Sequence, residues 1–307
     1  MTIAEQDGAT ALAREDEWLW GWDPTPGIVS VWAEHDGRAL VWRRIPGLER
    51  PVREEARFRP FLLLADLGDL AHLGARLCEE GATGWDGPGV VAVRELAGPG
   101  RLRYLASTRS SRELERAVLA GAATRLGRTV ARLGELDGED VLQLPPEEQY
   151  LVATGRTYFR GLTFDDLHRL QFDLETTGLH ASRDRVFLVA VRDNRGLERT
   201  LDIAEGGLEG AKAEADLIRR LAALIRERDP DVIENHNLHG FDLPFLARRA
   251  QLLGVPLALG RAGAPGLRQR PAARGYGPWR MDGPEGGGCR LGQNLLVEAP
   301  VLEPDEG

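Results

Sequence analysis

The chain has 307 residues, 42% hydrophobic and 28% charged, with a formal net charge of −9, and these are the proportions of a soluble globular protein with room for two domains. The acidic balance argues against a protein that holds nucleic acid by bulk positive charge, and two distant cysteines, Cys78 and Cys289, argue against a disulfide framework or a structural zinc site. Neither a signal peptide nor an apolar run of eighteen residues occurs, so we expect a cytoplasmic protein that makes no membrane contact.

Residues 1–150 are predicted to form a smaller α+β N-terminal domain. Tryptophans 18, 20 and 22 could stack on bases, but their apolar bulk favours packing in a core. The turn His35-Asp-Gly37 predicts a hairpin, and Ser110 or Ser111 is suited to cap a helix. The apolar pattern predicts strands at 27–34, 38–45, 61–65, 90–96 and 101–107 and helices at 67–80 and 111–126.

An acidic stretch marks the end of this domain. Residues 137–148 contain Pro145 and Pro146 and predict a linker or a long connection. Residues 150–160 are interpreted as a further strand or an extended arm. No catalytic constellation occurs in the first 150 residues.

The pattern changes at about residue 160, and residues 160–255 are predicted to form a second domain. The short strand after the long helix is expected to be parallel to the first strand, because it follows a helical crossover. The elements predicted here are strands at 168–175, 185–192, 197–203 and 231–234 and helices at 211–228 and 243–253.

Two carboxylates lie at the end of the first of these strands. Asp173 and Glu175 are two residues apart, so in an extended strand both side chains point to the same face. They repel each other unless a cation lies between them, and hard oxygen ligands of this kind suit Mg²⁺ or Mn²⁺. The alternative is an ordinary solvated strand end, which would be preferred if no second acidic motif followed.

A second acidic motif does follow, and the two together carry a family resemblance. The stretch Asp173-Leu-Glu-Thr176 resembles the first motif of the 3′→5′ proofreading exonucleases. The stretch Asn237-Leu-His-Gly-Phe-Asp242 resembles their second motif, in the form found in family B DNA polymerases. The region before residue 155 resembles the N-terminal part of bacterial family B polymerases less specifically. The resemblance implies an α/β fold, a ribonuclease H-like mixed sheet with flanking helices, and both motifs at one end of that sheet.

The resemblance also implies roles for individual residues. Asp173 would bridge two Mg²⁺ or Mn²⁺ ions, Glu175 would hold the first ion and orient the attacking water, and Asp242 would hold the second. Phosphodiester hydrolysis by two metal ions needs carboxylates in these roles. The residues that would contact the 3′ end of single-stranded DNA are Leu174, Thr176, Asn237 and Phe241.

Several of these residues have plainer interpretations. Asp242 precedes a predicted helix, where a carboxylate is favoured by the helix dipole without any metal. Phe241 could be a core residue at a strand–helix junction. His236 and His239 are disfavoured as metal ligands, because no Cys or third His has ligand spacing with them.

The third motif of the family, Tyr-x-x-x-Asp on a helix, is missing from this sequence. Downstream of the second motif, Tyr276 and Asp282 are six residues apart, and Gly277 and Pro278 would break a helix between them. The alternative ending His-x-x-x-x-Asp is also absent. Residues 256–307 are rich in Gly and Pro and are predicted to form a disordered tail. We therefore hypothesise a truncated or frame-shifted coding sequence that lacks the polymerase part.

The resulting expectation is a metal-dependent 3′→5′ DNA exonuclease domain of the proofreading type, impaired by the missing motif and without polymerase activity. The alternatives are an inactive nucleic-acid-binding remnant or accessory module of the same fold, and an unrelated ribonuclease H-like nuclease. RNA stays open as a substrate. The resemblance implies a polymerase or another replication protein as a partner, and the sequence leaves the oligomeric state undetermined.

Overall fold

The computed structural model describes residues 23–97 and 100–262, together with the backbone of three short strands at 268–271, 287–290 and 295–298. The tryptophans at 18, 20 and 22 and most of the Gly- and Pro-rich tail lie outside the described residues. The chain divides into two compact units. The first contains residues 1–43 and 52–160, and the second contains residues 44–51 and 161–307.

The first unit contains two sheets. A three-stranded antiparallel sheet has the order β1-β2-β3, and the predicted hairpin between its first two strands is confirmed. A five-stranded sheet has the order β5-β6-β7-β4-β8, in which only β5 and β6 are parallel. The strands are β1 (Ile28–Ala33), β2 (Arg38–Arg43), β3 (Val52–Arg57), β4 (Phe61–Leu64), β5 (Leu77–Glu79), β6 (Val91–Glu95), β7 (Tyr104–Ser107) and β8 (Val141–Leu142).

Two local predictions in this unit are wrong. The predicted helix over residues 67–80 is instead a 3₁₀ segment, Gly68–Arg76, followed by β5, because the backbone at Gly74 is non-helical, with a positive φ (56°), and interrupts it. Helix α1 (Ser111–Leu126) is confirmed, but neither serine caps it with its side chain. The hydroxyl of Ser111 lies instead 2.7 Å from Nδ1 of His35.

The interpretation of residues 150–160 as a strand or arm is also wrong. Helix α2 (Pro146–Thr154) begins inside the predicted linker. Proline is well tolerated in a first helical turn, and the two glutamates that follow it suit the positive end of the helix dipole. The fully buried Tyr150 fixes the helix against the core of the three-stranded sheet. Pro145 and Pro146, which suggested a linker, therefore lie at the start of a helix that is held in place by the burial of Tyr150.

The second unit is built on one mixed sheet of order β11-β10-β9-β12-β15. Neighbours β11, β10 and β9 are antiparallel, and β12 is parallel to β9 and to β15. This arrangement confirms the predicted ribonuclease H-like α/β fold with a parallel strand after the crossover. The strands are β9 (Arg169–Thr176), β10 (Val186–Asp193), β11 (Glu198–Asp202), β12 (Val232–Asn235) and β15 (Leu295–Glu298); β13 (Arg268–Pro271) and β14 (Gly287–Arg290) pair separately.

Helices α3 (Gly210–Arg228) and α4 (Leu243–Leu252) pack against this sheet through a single hydrophobic core. Along β9, Leu170, Phe172 and Leu174 are buried in that core, while Asp173 and Glu175 are exposed. The period of two in the strand therefore separates an apolar helix side from a polar open side. No described helix is both long enough and apolar enough to cross a membrane.

Candidate active site

The first motif occupies the end of the central strand. Asp173 and Glu175 lie on the open face of β9, and their partners across the antiparallel ladder are Ala190 and Leu188 of β10. The small Ala190 leaves the carboxylate of Asp173 uncovered on that side. Thr176 ends the strand, and its hydroxyl donates a 2.9 Å hydrogen bond to the carbonyl of Gly178 in the following turn.

Asp242 lies where strands β9 and β12 stop pairing. The two strands are paired only at Arg169 with Val232 and at Leu170 with Ile233. Beyond these pairs the backbone of β9 lacks a ladder partner on that side. The amide of Leu174 donates a hydrogen bond to the carboxylate of Asp242 instead. The second motif is therefore joined to the backbone of the first.

The charge state of Asp242 reflects this position. Burial, with only 3% of the residue exposed, is the main reason that the pKa of Asp242 rises to about 7, and the nearby charge of Asp173 raises it further. Hydrogen bonds from the Leu174 amide and from Nδ2 of Asn235, at 3.0 Å, act in the opposite direction. A like-charge pair with a raised pKa is the electrostatic state that a bound cation would relieve.

The segment that leads into Asp242 has an unusual backbone. Asn237 adopts the left-handed conformation (φ 56°), and Leu238–Asp242 form a π-helical turn that continues into α4. A Cβ atom at Gly240 would lie 2.1 Å from Oδ1 of Asn237, so a larger residue there would force the Asn237 side chain to move. π-Helical turns occur often at functional sites. Asp242 is the N-cap residue of α4, as the plainer interpretation expects, but its side chain makes no capping hydrogen bond.

The residues expected to contact nucleic acid lie in different surroundings. The side chain of Leu174 is buried in the core, so only its backbone faces Asp242. Asn237 is exposed. Phe241 is half-buried, packs on the core and lies with its ring centre 5.2 Å from that of Phe245. Phe241 therefore has a packing role and still presents part of its ring to solvent.

A neighbouring carboxylate on the same face is already neutralised. Glu234 of β12 accepts hydrogen bonds from Arg169 and from Gln171, each at 3.0 Å. Gln171 in turn accepts a hydrogen bond from Arg192. This polar row continues the open face of the sheet away from Asp173. Because its carboxylate is engaged, Glu234 is a weaker candidate for a metal ligand than Asp173.

A buried ion pair that the sequence analysis missed supports the loop after the first motif. Two guanidinium nitrogens of Arg249 donate hydrogen bonds to the carboxylate of Glu214, Nε at 2.7 Å and Nη2 at 2.6 Å. Glu214 also accepts the amide of Val186 at 3.0 Å, and Arg249 donates to the carbonyl of Ala181 at 3.0 Å. The pair thus connects α3, α4, the start of β10 and the loop. No sequence signal distinguishes these two charged residues from solvent-exposed helix positions.

Asn235 was missed for a similar reason, because nothing in the sequence singles it out from Asn237. The structure shows that Asn235 binds the carboxylate of Asp242. Among residues 23–97 and 100–262, no group of three His, Cys, Asp or Glu side chains lies close enough together to hold a metal ion. The structure therefore does not bring Asp173, Glu175 and Asp242 together as a group of three, although Asp242 lies near Asp173 and Glu175 shares the strand face of Asp173.

Comparison with known proteins relates the chain to one family. Residues 198–268 match the family described as DNA polymerase family B, exonuclease domain. This range includes the second motif and begins after the first. The chain is 33% identical to a DNA polymerase of Pyrococcus glycovorans over a stretch of 134 residues. This stretch covers 41% of this chain and 17% of that protein. The chain is 34% identical over 128 residues to a DNA polymerase of Pyrococcus horikoshii, covering 38% of this chain and 10% of that protein.

A solved structure shares the fold. The family B DNA polymerase from Pyrobaculum calidifontis superposes with a TM-score of 0.51 at 22% sequence identity, over 78% of this chain and 34% of that one. The chain spans 17% or less of the length of the two curated relatives described above. The similarity therefore concerns one part of those polymerases.

Proposed function

We infer the function of this chain from the family that it matches, since it contains part of the exonuclease domain of DNA polymerase family B. We propose that it is a divalent-metal-dependent 3′→5′ exonuclease domain of the proofreading type. Its substrate would be the 3′ end of single-stranded DNA, delivered by a polymerase or another replication protein. Its activity would be impaired, because no Tyr-x-x-x-Asp motif follows the second motif within these 307 residues.

One observation carries the proposal: Asp242 lies against the strand that bears Asp173, although the two are 69 positions apart in the sequence. The amide of Leu174 and the charge of Asp173 both act on the carboxylate of Asp242. A strand end and a helix start that met only for packing would not need two acids at their junction. The repulsion between the two carboxylates is a cost that is understandable if a cation binds between them.

The carboxylates fit Mg²⁺ or Mn²⁺, because both ions prefer hard oxygen ligands. Asp173, Glu175 and Asp242 would hold the ions, which would activate a water and stabilise the leaving oxygen when bound. Asn235 orients the carboxylate of Asp242 through the hydrogen bond to Oδ2. Asn237 and the exposed part of Phe241 would bind the last nucleotides, and an aromatic face can stack on any base.

A second candidate function has its own support. An inactive nucleic-acid-binding remnant of the same fold would retain the two motifs and lack the third. No group of three metal-ligating side chains comes together among the described residues, which favours this alternative over a fully active enzyme. The two functions differ in one measurable property, namely whether nucleotides are released in a way that depends on Asp173.

The test is release of nucleotides from a 3′-labelled single strand in Mn²⁺. We expect slow release by the wild type, about 10² to 10⁴ below that of an exonuclease domain with all three motifs, because losing a group that positions water costs about that much. Asp173→Ala should remove the remaining release. Glu198→Ala serves as a matched control, since it removes an exposed carboxylate from β11 of the same sheet.

Equal traces of release from the wild type and Asp173→Ala would rule out the exonuclease and leave the remnant. Release at the full rate of a complete domain would show that the third motif is dispensable here. A loss in Glu198→Ala as large as that in Asp173→Ala would show that the first motif has no special role.

A further inference from the structure

Strand β10 places an arginine on the same face of the sheet as the first motif. Between residues 188 and 193 the register of β10 against β9 has no irregularity, and Ala190 lies opposite Asp173. The next pair on the same face is Arg192 with Gln171, since residues opposite each other in an antiparallel ladder share a face. A hydrogen bond from Nε of Arg192 to Oε1 of Gln171 agrees with this placement.

The guanidinium of Arg192 is held by a chain of hydrogen bonds across the sheet. The amide nitrogen of Gln171 donates to Glu234 at 3.0 Å, and an ionised carboxylate can only accept. The amide oxygen of Gln171 is thereby turned towards Arg192, whose nitrogens can only donate. Within the described part of the chain, the exposed Arg192 makes no other hydrogen bond and no ion pair. Both of its Nη nitrogens are therefore available to a ligand.

The other arginine on the open face of β9, β10 and β11 is already neutralised. Arg169 is half-buried and donates to Glu234 at 3.0 Å. Glu198 lies opposite Arg192 in the ladder with β11, but these two exposed side chains, both among the described residues, form no ion pair. An exposed pair of this kind would contribute little, so Glu198 would compete only weakly with a bound phosphate.

The position of Arg192 suits a second group on a ligand that is bound at Asp173. Gln171 and Asp173 are two residues apart, which is about 6 to 7 Å along a strand, and a long side chain can reach a diagonal neighbour across a ladder. A planar guanidinium binds phosphate oxygens through two parallel N–H donors. Carboxylates that hold one phosphate through cations would repel the next phosphate of a single strand, unless a positive charge lies there.

We propose that Arg192 is a phosphate-binding residue, which neutralises the phosphate next to the one held at Asp173. The inference rests on the proposed function, because it requires a single strand at the first motif. The contact is made to the nucleic-acid backbone and therefore carries no base preference. It supplies a local positive charge to a chain whose net charge of −9 does not attract nucleic acid.

The test measures binding instead of hydrolysis, so that it works even if the domain is inactive. The full chain is titrated in Mn²⁺ into a fluorescent oligothymidine whose 3′-terminal linkage is a phosphorothioate, which slows hydrolysis. The Kd is read from anisotropy at several salt concentrations. We expect Arg192→Gln to raise the Kd about 10-fold, because a charged hydrogen bond is lost. The slope of log Kd against log salt should fall by about 0.7, the contribution of one phosphate contact on a single strand.

Arg199→Gln is the matched control. Arg199 is also exposed, but it lies opposite the buried Val191 in the ladder between β10 and β11, so its side chain is on the helix side of the same sheet. We expect this variant to bind as the wild type does, with the same salt slope. Arg192→Lys keeps the charge but lacks the planar fork, so it should keep the slope and bind less tightly. Circular dichroism spectra should be the same for all variants.

An oligonucleotide with one uncharged methylphosphonate linkage, moved along the strand, locates the contact. At one position near the 3′ end, the neutral linkage should weaken binding to the wild type and leave binding to Arg192→Gln unchanged. The reason is that the missing phosphate charge and the missing guanidinium belong to one contact. Equal losses for both proteins at every position would overturn the inference.

The outcomes separate the two proposals. If the wild type binds the oligothymidine and Arg192→Gln binds equally well, Arg192 does not bind a phosphate and the proposed function is unaffected. If Arg199→Gln weakens binding as much as Arg192→Gln does, the effect is one of overall charge and the inference fails. If the wild type does not bind, the proposed function fails and this inference fails with it.

Discussion

Two aspartates at opposite ends of the central sheet, Asp242 and Asp193, show how partners decide the state of a buried carboxyl. The side chain of Asp193 at the end of β10 is fully buried. Burial alone would raise its pKa, but hydrogen bonds from His168, Arg228 and the amide of Leu197 lower it to about 2. Burial also lowers the pKa of His168, so its neutral ring donates to Asp193 at 2.8 Å.

Asp242 is buried as well, and its pKa rises to about 7, mainly because of burial and further because its charged neighbour, Asp173, is another carboxylate. At one end of the sheet, the carboxylate of Asp193 is thus bound by hydrogen-bond donors and by the cationic Arg228. At the other end, the carboxylates of Asp242 and Asp173 lie close together. The first arrangement stabilises the fold. The second costs stability in the absence of a ligand, which is the usual property of a functional site.

The largest effect on folding stability should come from removing Asp193, whose carboxylate is fully hydrogen-bonded. Asp193→Ala leaves His168, Arg228 and two backbone amides without their acceptor. We expect a loss of about 3 to 5 kcal/mol in the free energy of unfolding, since breaking a buried charged network leaves its partners unpaired. Urea denaturation of the second unit measures it. The exposed Glu198→Ala should change stability by less than about 0.5 kcal/mol, and a comparable loss there would contradict the comparison.

The opposite sign is expected at the other end of the sheet. Asp242→Asn removes the repelled charge and keeps the shape, so it should stabilise the metal-free protein at pH 8 by about 2 to 4 kcal/mol. Because folding raises the pKa of Asp242, the contribution of this residue to folding stability is fully present below 3.8, the pKa in the unfolded chain. That contribution is lost as the pH rises through about 7, the pKa in the folded protein. The gain from Asp242→Asn should therefore vanish near pH 4. If Asp242→Asn is less stable than the wild type at pH 8 in EDTA, the two carboxylates of Asp242 and Asp173 do not repel each other in the metal-free protein.

Lowering the pH should remove the stabilising contribution of Asp193, whereas it restores that of Asp242. Its lowered pKa means that its contribution is present above the unfolded value of 3.8 and is lost as the pH falls through about 2. The shift corresponds to about 2 kcal/mol. Urea midpoints of the wild type and Asp193→Ala, compared between pH 5 and pH 2, should converge towards low pH. Parallel curves would show that Asp193 is not held as a carboxylate.

The smallest effect concerns the cation itself. If Mn²⁺ relieves the repulsion between Asp173 and Asp242, a concentration of ten times the Kd should stabilise the wild type by about 1.4 kcal/mol. Asp173→Asn should lose most of that gain, while Glu234→Gln should keep it, because Glu234 is already engaged by Arg169 and Gln171. Thermal unfolding with and without Mn²⁺ measures the difference. The same gain in Asp173→Asn would place the ion elsewhere.

The predictability of the two units differs for a physical reason. In the second unit, the alternation along β9 and the apolar spacing of α3 match the face that each element buries, so pattern and structure agree. In the first unit, a 3₁₀ segment and a helix that starts with a proline depend on local backbone choices and on the burial of Tyr150. These choices leave little periodic signal in the sequence. The strand β3 was missed because its side chains are mostly polar and exposed.

The sequence by itself determined the two acidic motifs, the type of fold and the order of the elements in the second unit, because these depend on residue identity and on periods of two and 3.6. The tertiary structure alone decided that Asp242 meets the amide of Leu174, that Asn235 is its partner, and that Glu214 and Arg249 form a buried pair. It also decided the exposure of Phe187, which lies where the register of β10 against β9 shifts. Such contacts join residues distant in the chain, and their energies depend on burial and on neighbouring charges that a linear pattern does not contain.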